Sequence, residues 1–113
     1  MNKIKENIAY HLPTEEQFVD FLLTAEMQGL KWDDGKSAVE TKYDFVERYG
    51  SNTAIIYYND TLYHEDVVAM RKQGFTVEEW QPTAKNRQEM EGLILNVFAK
   101  RFLLELVKLL NEE

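Results

Sequence analysis

The first 80 residues alternate short apolar and β-branched runs with turn-forming residues, a pattern typical of short strands. It predicts strands in residues 8–12, 53–58, 61–64 and 75–80, with a fifth short one at 30–32. The run at 53–58 has apolar or aromatic side chains on both faces, which predicts a strand covered on both sides. Asn59-Asp60 predicts a hairpin turn after it. The run at 8–12 stops at Pro13 and predicts an edge strand.

Two helices are predicted between these strands. Thr14 is a candidate N-cap with Gln17 as its capping-box partner, and Gly29 predicts where this helix ends. A short helix is predicted over residues 65–73, whereas residues 36–50 fit either a short helix or an irregular aromatic loop. This order of elements predicts an α+β fold, with a small, mainly antiparallel sheet of four or five strands packed on one helix.

A long C-terminal helix is predicted for residues 84–111. Thirteen of the eighteen residues from 93 to 110 are apolar, more than a helix lying on a single core requires. Four charged residues within the run argue against a membrane span, and the acidic neighbouring domain argues against a membrane-surface helix. Two alternatives remain: a monomer whose sheet covers more of the helix, and a homodimer, which the excess apolar surface favours. The residues predicted for self-association are Leu95, Phe98, Phe102, Leu106 and Leu109.

Charge divides the chain into two parts. The protein has 20 Asp and Glu against 13 Lys and Arg, a net charge of -7. Residues 1–80 hold fifteen of these acids and eight of the bases, whereas residues 81–113 hold five of each. We therefore expect an acidic α+β domain at 1–81 and a helical segment at 82–113. Because an acidic surface repels phosphate, direct binding of nucleic acid is not expected.

Candidate catalytic residues are few. There is no Cys, and neither Ser37 nor Ser51 belongs to a nucleophile elbow. His64-Glu65-Asp66 is the densest group of potential metal ligands, but consecutive residues point in different directions. We therefore expect no metal, no cofactor and no enzymatic activity, with a metal-assisted hydrolase that uses His64 and nearby acids as the third alternative. No apolar run follows the basic residues at the start, so no signal peptide is predicted and a cytoplasmic location is expected.

Surface acids and tyrosines are better candidates for protein binding. The chain has six Tyr, which supply large contact areas at low entropic cost. Asp33 and Asp34 stand before Gly35 in a predicted turn, where no helix dipole explains them. The residues predicted to form an acidic binding face are Asp33, Asp34, Asp60, Glu65, Asp66, Glu78 and Glu79.

The middle of the chain has a recognisable layout. Gly29-Leu30-Lys31-Trp32-Asp33-Asp34-Gly35 follows a helix, an isoleucine-rich hairpin covers residues 52–63, and the strand at 74–80 ends in Glu79-Trp80. Over residues 14–80 this layout resembles small uncharacterised proteins of phages and prophages of Gram-positive bacteria. These share a helix, a G-x-K-W-x-x-G element, an isoleucine-rich hairpin and a last strand ending in E-W or E-Y. The long helix after Pro82 departs from their usual short form.

The resemblance implies a function only through its context. Small acidic phage proteins often block a host defence enzyme, and anti-CRISPR proteins of type II systems are the best-known class. The leading hypothesis is therefore a stoichiometric inhibitor that binds a host nucleic-acid-handling effector, such as the CRISPR nuclease Cas9, through its acidic face. The main alternative is an assembly module that associates with itself through the C-terminal helix.

Overall fold

The computed structural model describes residues 3–40 and 49–111, in two compact units, Met1–Thr83 and Ala84–Glu113. The strands of the first unit are β1 (Ile8–His11), β2 (Thr53–Tyr58), β3 (Thr61–Asp66) and β4 (Thr76–Glu79). Its helices are α1 (Glu15–Met27) and α2 (Val67–Lys72), with two 3-10 turns at Ala38–Glu40 and Gly50–Asn52. The second unit contains the long helix α3 (Arg87–Asn111).

The strands form one mixed sheet in the order β3-β2-β1-β4. β2 pairs antiparallel with both β1 and β3, whereas β4 runs parallel to β1, with His11 beside Glu79. The α+β class is confirmed. Among the described residues the sheet has four strands, within the predicted four or five, and it is mixed because the β1–β4 pair is parallel whereas the other two pairs are antiparallel. The predicted edge position of the first strand is also wrong, because β1 lies between β2 and β4.

The sheet is covered on both faces. On one face, Ile55 of β2 is fully buried with Phe21 of α1. On the other face, Ile56 packs with Val67 and Met70 of α2. The prediction that residues 53–58 are covered on both sides is confirmed, and the prediction of a single covering helix is corrected to two.

Local sequence signals explain where α1 begins and where the hairpin turns. The hydroxyl oxygen of Thr14 accepts a hydrogen bond from the backbone N–H of Gln17 at 3.2 Å, and its O–H donates to Gln17 Oε1 at 2.8 Å. This confirms the predicted cap. Asn59 and Asp60 have φ of 52° and 63°, the left-handed values that a tight two-residue hairpin requires.

β3 is longer and α2 is shorter than predicted. Glu65, expected to begin the helix, still pairs with Ala54 in the sheet. Asp66 then caps α2, because its carboxylate accepts a hydrogen bond from the backbone N–H of Val68 at 2.7 Å. In the segment left open between helix and loop, residues 38–40 form a 3-10 turn, and residues 41–48 lie outside the described residues.

α3 begins with a reciprocal pair of the capping-box type. The side-chain oxygen of Asn86 accepts from the backbone N–H of Glu89 at 2.9 Å, and the Glu89 carboxylate accepts from the backbone N–H of Lys85 at 2.7 Å. Arg87 and Glu91 add an ion pair at 3.3 Å. In the part of the chain that the structure describes, no helix combines the length and apolarity that crossing a bilayer requires.

Candidate binding surface at the β3 edge

Most of the acids predicted to bind a partner lie along β3, which forms one edge of the sheet. One stands in the turn before the strand, two close the strand, and two belong to a turn beside it. We call this set the acidic β3 edge: Asp60, Glu65, Asp66, Asp33 and Asp34. Glu78 and Glu79 lie instead on β4, at the opposite edge. The seven predicted residues are thus divided between two edges, and their binding role stays a prediction.

The turn at 33–35 is held against β3 by the residues that precede it. The backbone N–H of Leu62 donates to the carbonyl of Lys31 at 2.9 Å, and Trp32 forms a bridge with Leu62. The Trp32 ring is buried, and its indole N–H donates to the carbonyl of Ala38 at 2.9 Å. A buried aromatic anchor therefore fixes the base of the turn.

Backbone contacts also fix the shape of the turn itself. Gly35 has φ of 83° and donates its N–H to the carbonyl of Trp32 at 3.0 Å. The Asp34 carboxylate accepts from the backbone N–H of Lys36 at 3.0 Å. Asp33 and Asp34 are both exposed. Two carboxylates thus stand in solvent on a turn whose position does not depend on the Asp33 side chain.

Asp60 contributes to a region of negative potential around Tyr57. The Tyr57 hydroxyl donates to Asp60 Oδ1 at 3.4 Å. Desolvation raises the pKa of Tyr57, and the negative charges of Asp60 and Glu6 raise it further. Glu6 lies there because it forms a bridge with Tyr57. Glu6 could not be predicted as part of this region, since its position depends on this long-range pairing.

Glu65 and Asp66, the last two residues of β3, have different surroundings. Asp66 is engaged as the α2 cap, so part of its role is structural. Glu65 is partly buried and borders an apolar groove of about 220 Å³ on the α2 face of the sheet. Tyr58 and Phe75 line this groove in a T-shaped contact at 6.5 Å. Glu65 therefore places a carboxylate next to an aromatic surface.

Glu78 and Glu79 border a separate cleft of about 340 Å³, which Lys3 and Lys5 also line. Tyr10 lies in the same cleft, where its hydroxyl oxygen accepts from the backbone N–H of Lys5 at 2.9 Å. Burial raises the pKa of Tyr10; the Lys5 hydrogen bond opposes this shift, and the charge of Glu78 adds to it. Because two lysines line this cleft, the β4 edge is less uniformly acidic than the β3 edge.

His64, the residue named for the hydrolase alternative, is buried among aromatic rings. Its ring lies 6.0 Å from that of Phe18 and 5.2 Å from that of Tyr49, in a T-shaped contact. Its strand neighbour Glu65 points to the other face of the sheet, as alternation along a strand requires. Among the described residues, no group of three His, Asp or Glu side chains is placed to hold a metal ion.

The five residues predicted for self-association all lie on α3 and are exposed. Exposed fractions of 40% to 69% are found for the side chains of Leu95, Phe98, Phe102, Leu106 and Leu109. Leu103, Val107 and Leu110 are also exposed. The helix therefore presents a continuous apolar surface, and its role in self-association stays a prediction.

One buried carboxylate, that of Asp20, is not among the residues predicted from the sequence. Asp20 of α1 is fully buried, and its Oδ1 accepts from the indole N–H of Trp80 at 2.9 Å and from the backbone N–H of Thr83 at 2.8 Å. Gln17 and Thr24 hold the same segment, through hydrogen bonds to the Trp80 carbonyl at 3.0 Å and the Thr83 hydroxyl at 3.2 Å. The available signal was a lone acid within an apolar helical run. Its role here is to fix the segment that leads out of the sheet.

Comparisons of the chain with protein-family models, with curated proteins and with solved structures find no match.

Proposed function

We propose that this protein acts by binding another protein through the acidic β3 edge. The observation that carries the proposal is the turn at 33–35, which holds two exposed carboxylates beside an edge strand that has two further acids, with a third, Asp60, in the turn before the strand. Opposite charge on a partner would steer its approach and set its orientation on this edge. Tyr58 and the apolar groove beside Glu65 would add contact area to the electrostatic attraction.

The partner class follows from the charge. A basic channel or patch that normally takes nucleic acid is the surface most complementary to a row of carboxylates. In the described residues, no Lys or Arg forms an ion pair with an acid of this edge, although Asp34, Asp60 and Asp66 accept hydrogen bonds from within the chain. A basic partner would therefore not have to displace a Lys or Arg of this chain from these acids. The net charge of -7 resides on residues 1–80, the part of the chain that carries the edge.

The more specific proposal is a phage-encoded anti-defence protein in the bacterial cytoplasm. The resemblance of residues 14–80 to small phage and prophage proteins supports this context. In this form of the proposal the protein is a stoichiometric inhibitor whose target is a nucleic-acid-handling effector, such as the CRISPR nuclease Cas9. The inhibitor would occupy the basic channel and exclude DNA from it.

The second candidate function is an assembly module, which the exposed apolar surface of α3 favours. The two functions use different surfaces and are compatible. No observation among the described residues favours the metal-assisted hydrolase over either of them.

The test is a competition assay with a purified Cas9–guide RNA complex and labelled target DNA. We expect the protein to block DNA binding with stoichiometric titration. The double variant Asp33→Lys/Asp34→Lys should weaken inhibition by roughly tenfold or more, because reversing charges in a complementary interface opposes association. Glu78→Lys/Glu79→Lys is the matched control, with the same charge change at the opposite edge, and should inhibit nearly as well.

Two outcomes would refute the proposal. One is DNA binding that is unaffected by an excess of the protein at low salt. The other is equal loss of inhibition in both double variants, since that would show a dependence on net charge alone and not on the β3 edge.

A further inference from the structure

The surface of α3 is larger than a stable monomer normally exposes. Eight large apolar side chains of this helix are 40% to 71% exposed, from Leu95 to Leu110. A Phe side chain buries about 150–250 Å² when fully covered, and Leu and Val are somewhat smaller, so at these exposed fractions the eight side chains together present on the order of 800 Å². The largest apolar patch of a typical monomer is about 300–600 Å². One partner of a standard protein interface buries about 800 Å², which matches what α3 offers.

Five of these residues form a narrow stripe. They are separated by three, four, four and three positions: Leu95, Phe98, Phe102, Leu106 and Leu109. At 3.6 residues per turn they fall within an arc of about 80°, over roughly 21 Å of helix. Because equivalent positions recur after eleven residues, close to three helical turns, the stripe stays nearly parallel to the helix axis. A second straight helix can therefore contact it along its full length.

The spacing of the stripe reads the same in both directions, with Phe102 at its centre. A two-fold axis through Phe102 would place Leu95 opposite the second copy's Leu109, and Phe98 opposite the second copy's Leu106. The two Phe102 rings would meet on the axis. Such an interface uses the same patch on both subunits and closes after two copies, as isologous dimers do. We propose that α3 pairs antiparallel with α3 of a second copy, about an axis at Phe102.

Charge favours the antiparallel direction over the parallel one. The unit that precedes α3 in the chain carries fifteen acids and eight bases, whereas residues 81–113 carry five of each. Parallel pairing would bring two strongly acidic units to the same end of the helix pair. With the axis at Phe102, antiparallel pairing separates the two α3 N-termini by roughly 45 Å, several Debye lengths at physiological salt. The nearly neutral helices themselves do not repel each other.

The first test is sedimentation equilibrium of the full chain at micromolar concentration. We expect a dimer of twice the 13.3 kDa chain mass. Phe102→Glu, which places two like charges on the axis, should raise the dissociation constant by roughly 30-fold or more, as loss of an interface hot spot does. Val68→Glu is the matched control, since Val68 is an exposed apolar residue of α2 that is 43% exposed. A monomeric wild-type chain, a larger closed or open assembly, or an unaffected Phe102→Glu dimer would overturn the proposal.

The second test fixes the direction by disulfide trapping, which the absence of native Cys makes unambiguous. Phe102→Cys should cross-link to itself. Leu95→Cys and Leu109→Cys should form no disulfide alone, because each would lie roughly 21 Å from its own copy, beyond the reach of about 7 Å that a disulfide allows. Mixing the two variants should give a disulfide between position 95 of one copy and position 109 of the other. Self-cross-linking of Leu95→Cys, or no cross-link in the mixture, would overturn the antiparallel arrangement.

Discussion

Replacing Asp20 with Ala should destabilise the first unit strongly. The Asp20 carboxylate is fully buried and accepts two hydrogen bonds, from the Trp80 indole at 2.9 Å and from the Thr83 backbone N–H at 2.8 Å. Hydrogen bonds to a charged group contribute about 1.5–3 kcal/mol each, and buried donors left without a partner cost about 1–3 kcal/mol each. We therefore expect Asp20→Ala to lower the free energy of unfolding by about 4 kcal/mol.

A double-mutant cycle isolates the Asp20–Trp80 hydrogen bond from other effects of the substitution. Trp80→Phe removes the indole donor and keeps an aromatic ring. The coupling between Asp20→Ala and Trp80→Phe should be about 1.5–3 kcal/mol, because the two groups are in direct contact. Asp20→Ala with Ile56→Val provides the control cycle. Ile56 packs on the α2 face of the sheet, so its coupling to Asp20 should be close to zero.

Urea unfolding followed by tryptophan fluorescence measures these free energies. Both tryptophans of the chain, Trp32 and Trp80, are buried in the first unit, so their emission reports its unfolding. Trp32 still reports when Trp80 is replaced. A loss below about 1 kcal/mol for Asp20→Ala, or a coupling to Trp80 no larger than that to Ile56, would refute the assigned role of this carboxylate.

Three further predictions test other parts of the structure. Burial raises the pKa of Tyr10 above 10.0, so above pH 10 the unfolded state holds fewer protons than the folded state and the free energy of unfolding falls. Tyr10→Phe should flatten this decline. Equal urea midpoints for the variant and the unmodified protein up to about pH 11 would contradict this prediction. Thr14→Ala should cost about 1 kcal/mol in urea unfolding, because it removes the α1 cap, whereas no loss would contradict the capping role. Ile55→Ala should cost about 3–4 kcal/mol at this fully buried position, and a loss under 1.5 kcal/mol would show that the site repacks.

Elements set by local chemistry could be predicted from the sequence. The Thr14 cap, the Asn59-Asp60 turn and the two-sided burial of β2 each depend on a few neighbouring residues, and all three are confirmed. The local pattern predicts the end of β3 two residues too early, because Glu65 and Asp66 suit a helix start as well as a strand. Pairing with β2 extends the strand to Asp66, and that pairing is not visible in the local pattern.

Features set by long-range pairing could not be predicted. The parallel pairing of β4 with β1 places Glu79 beside His11 at one edge, while Asp33 and Asp34 reach the other edge through Trp32 and Leu62. A run of acids in the sequence does not indicate which edge each will occupy, because strand order decides it. The role of Asp20 could not be predicted for the same reason, because its hydrogen-bond partners lie about sixty positions away in the chain.

The most direct test of the acidic β3 edge is the association rate constant with the Cas9–guide RNA complex, measured by stopped flow at several salt concentrations. We predict a fall of about tenfold between roughly 50 and 300 mM salt, because screening weakens the attraction that steers the encounter. Asp33→Lys/Asp34→Lys should associate more slowly and with a weaker salt dependence, whereas Glu78→Lys/Glu79→Lys should follow the unmodified protein. An association rate that responds neither to salt nor to reversal of Asp33 and Asp34, or no detectable association, would contradict the proposed binding surface.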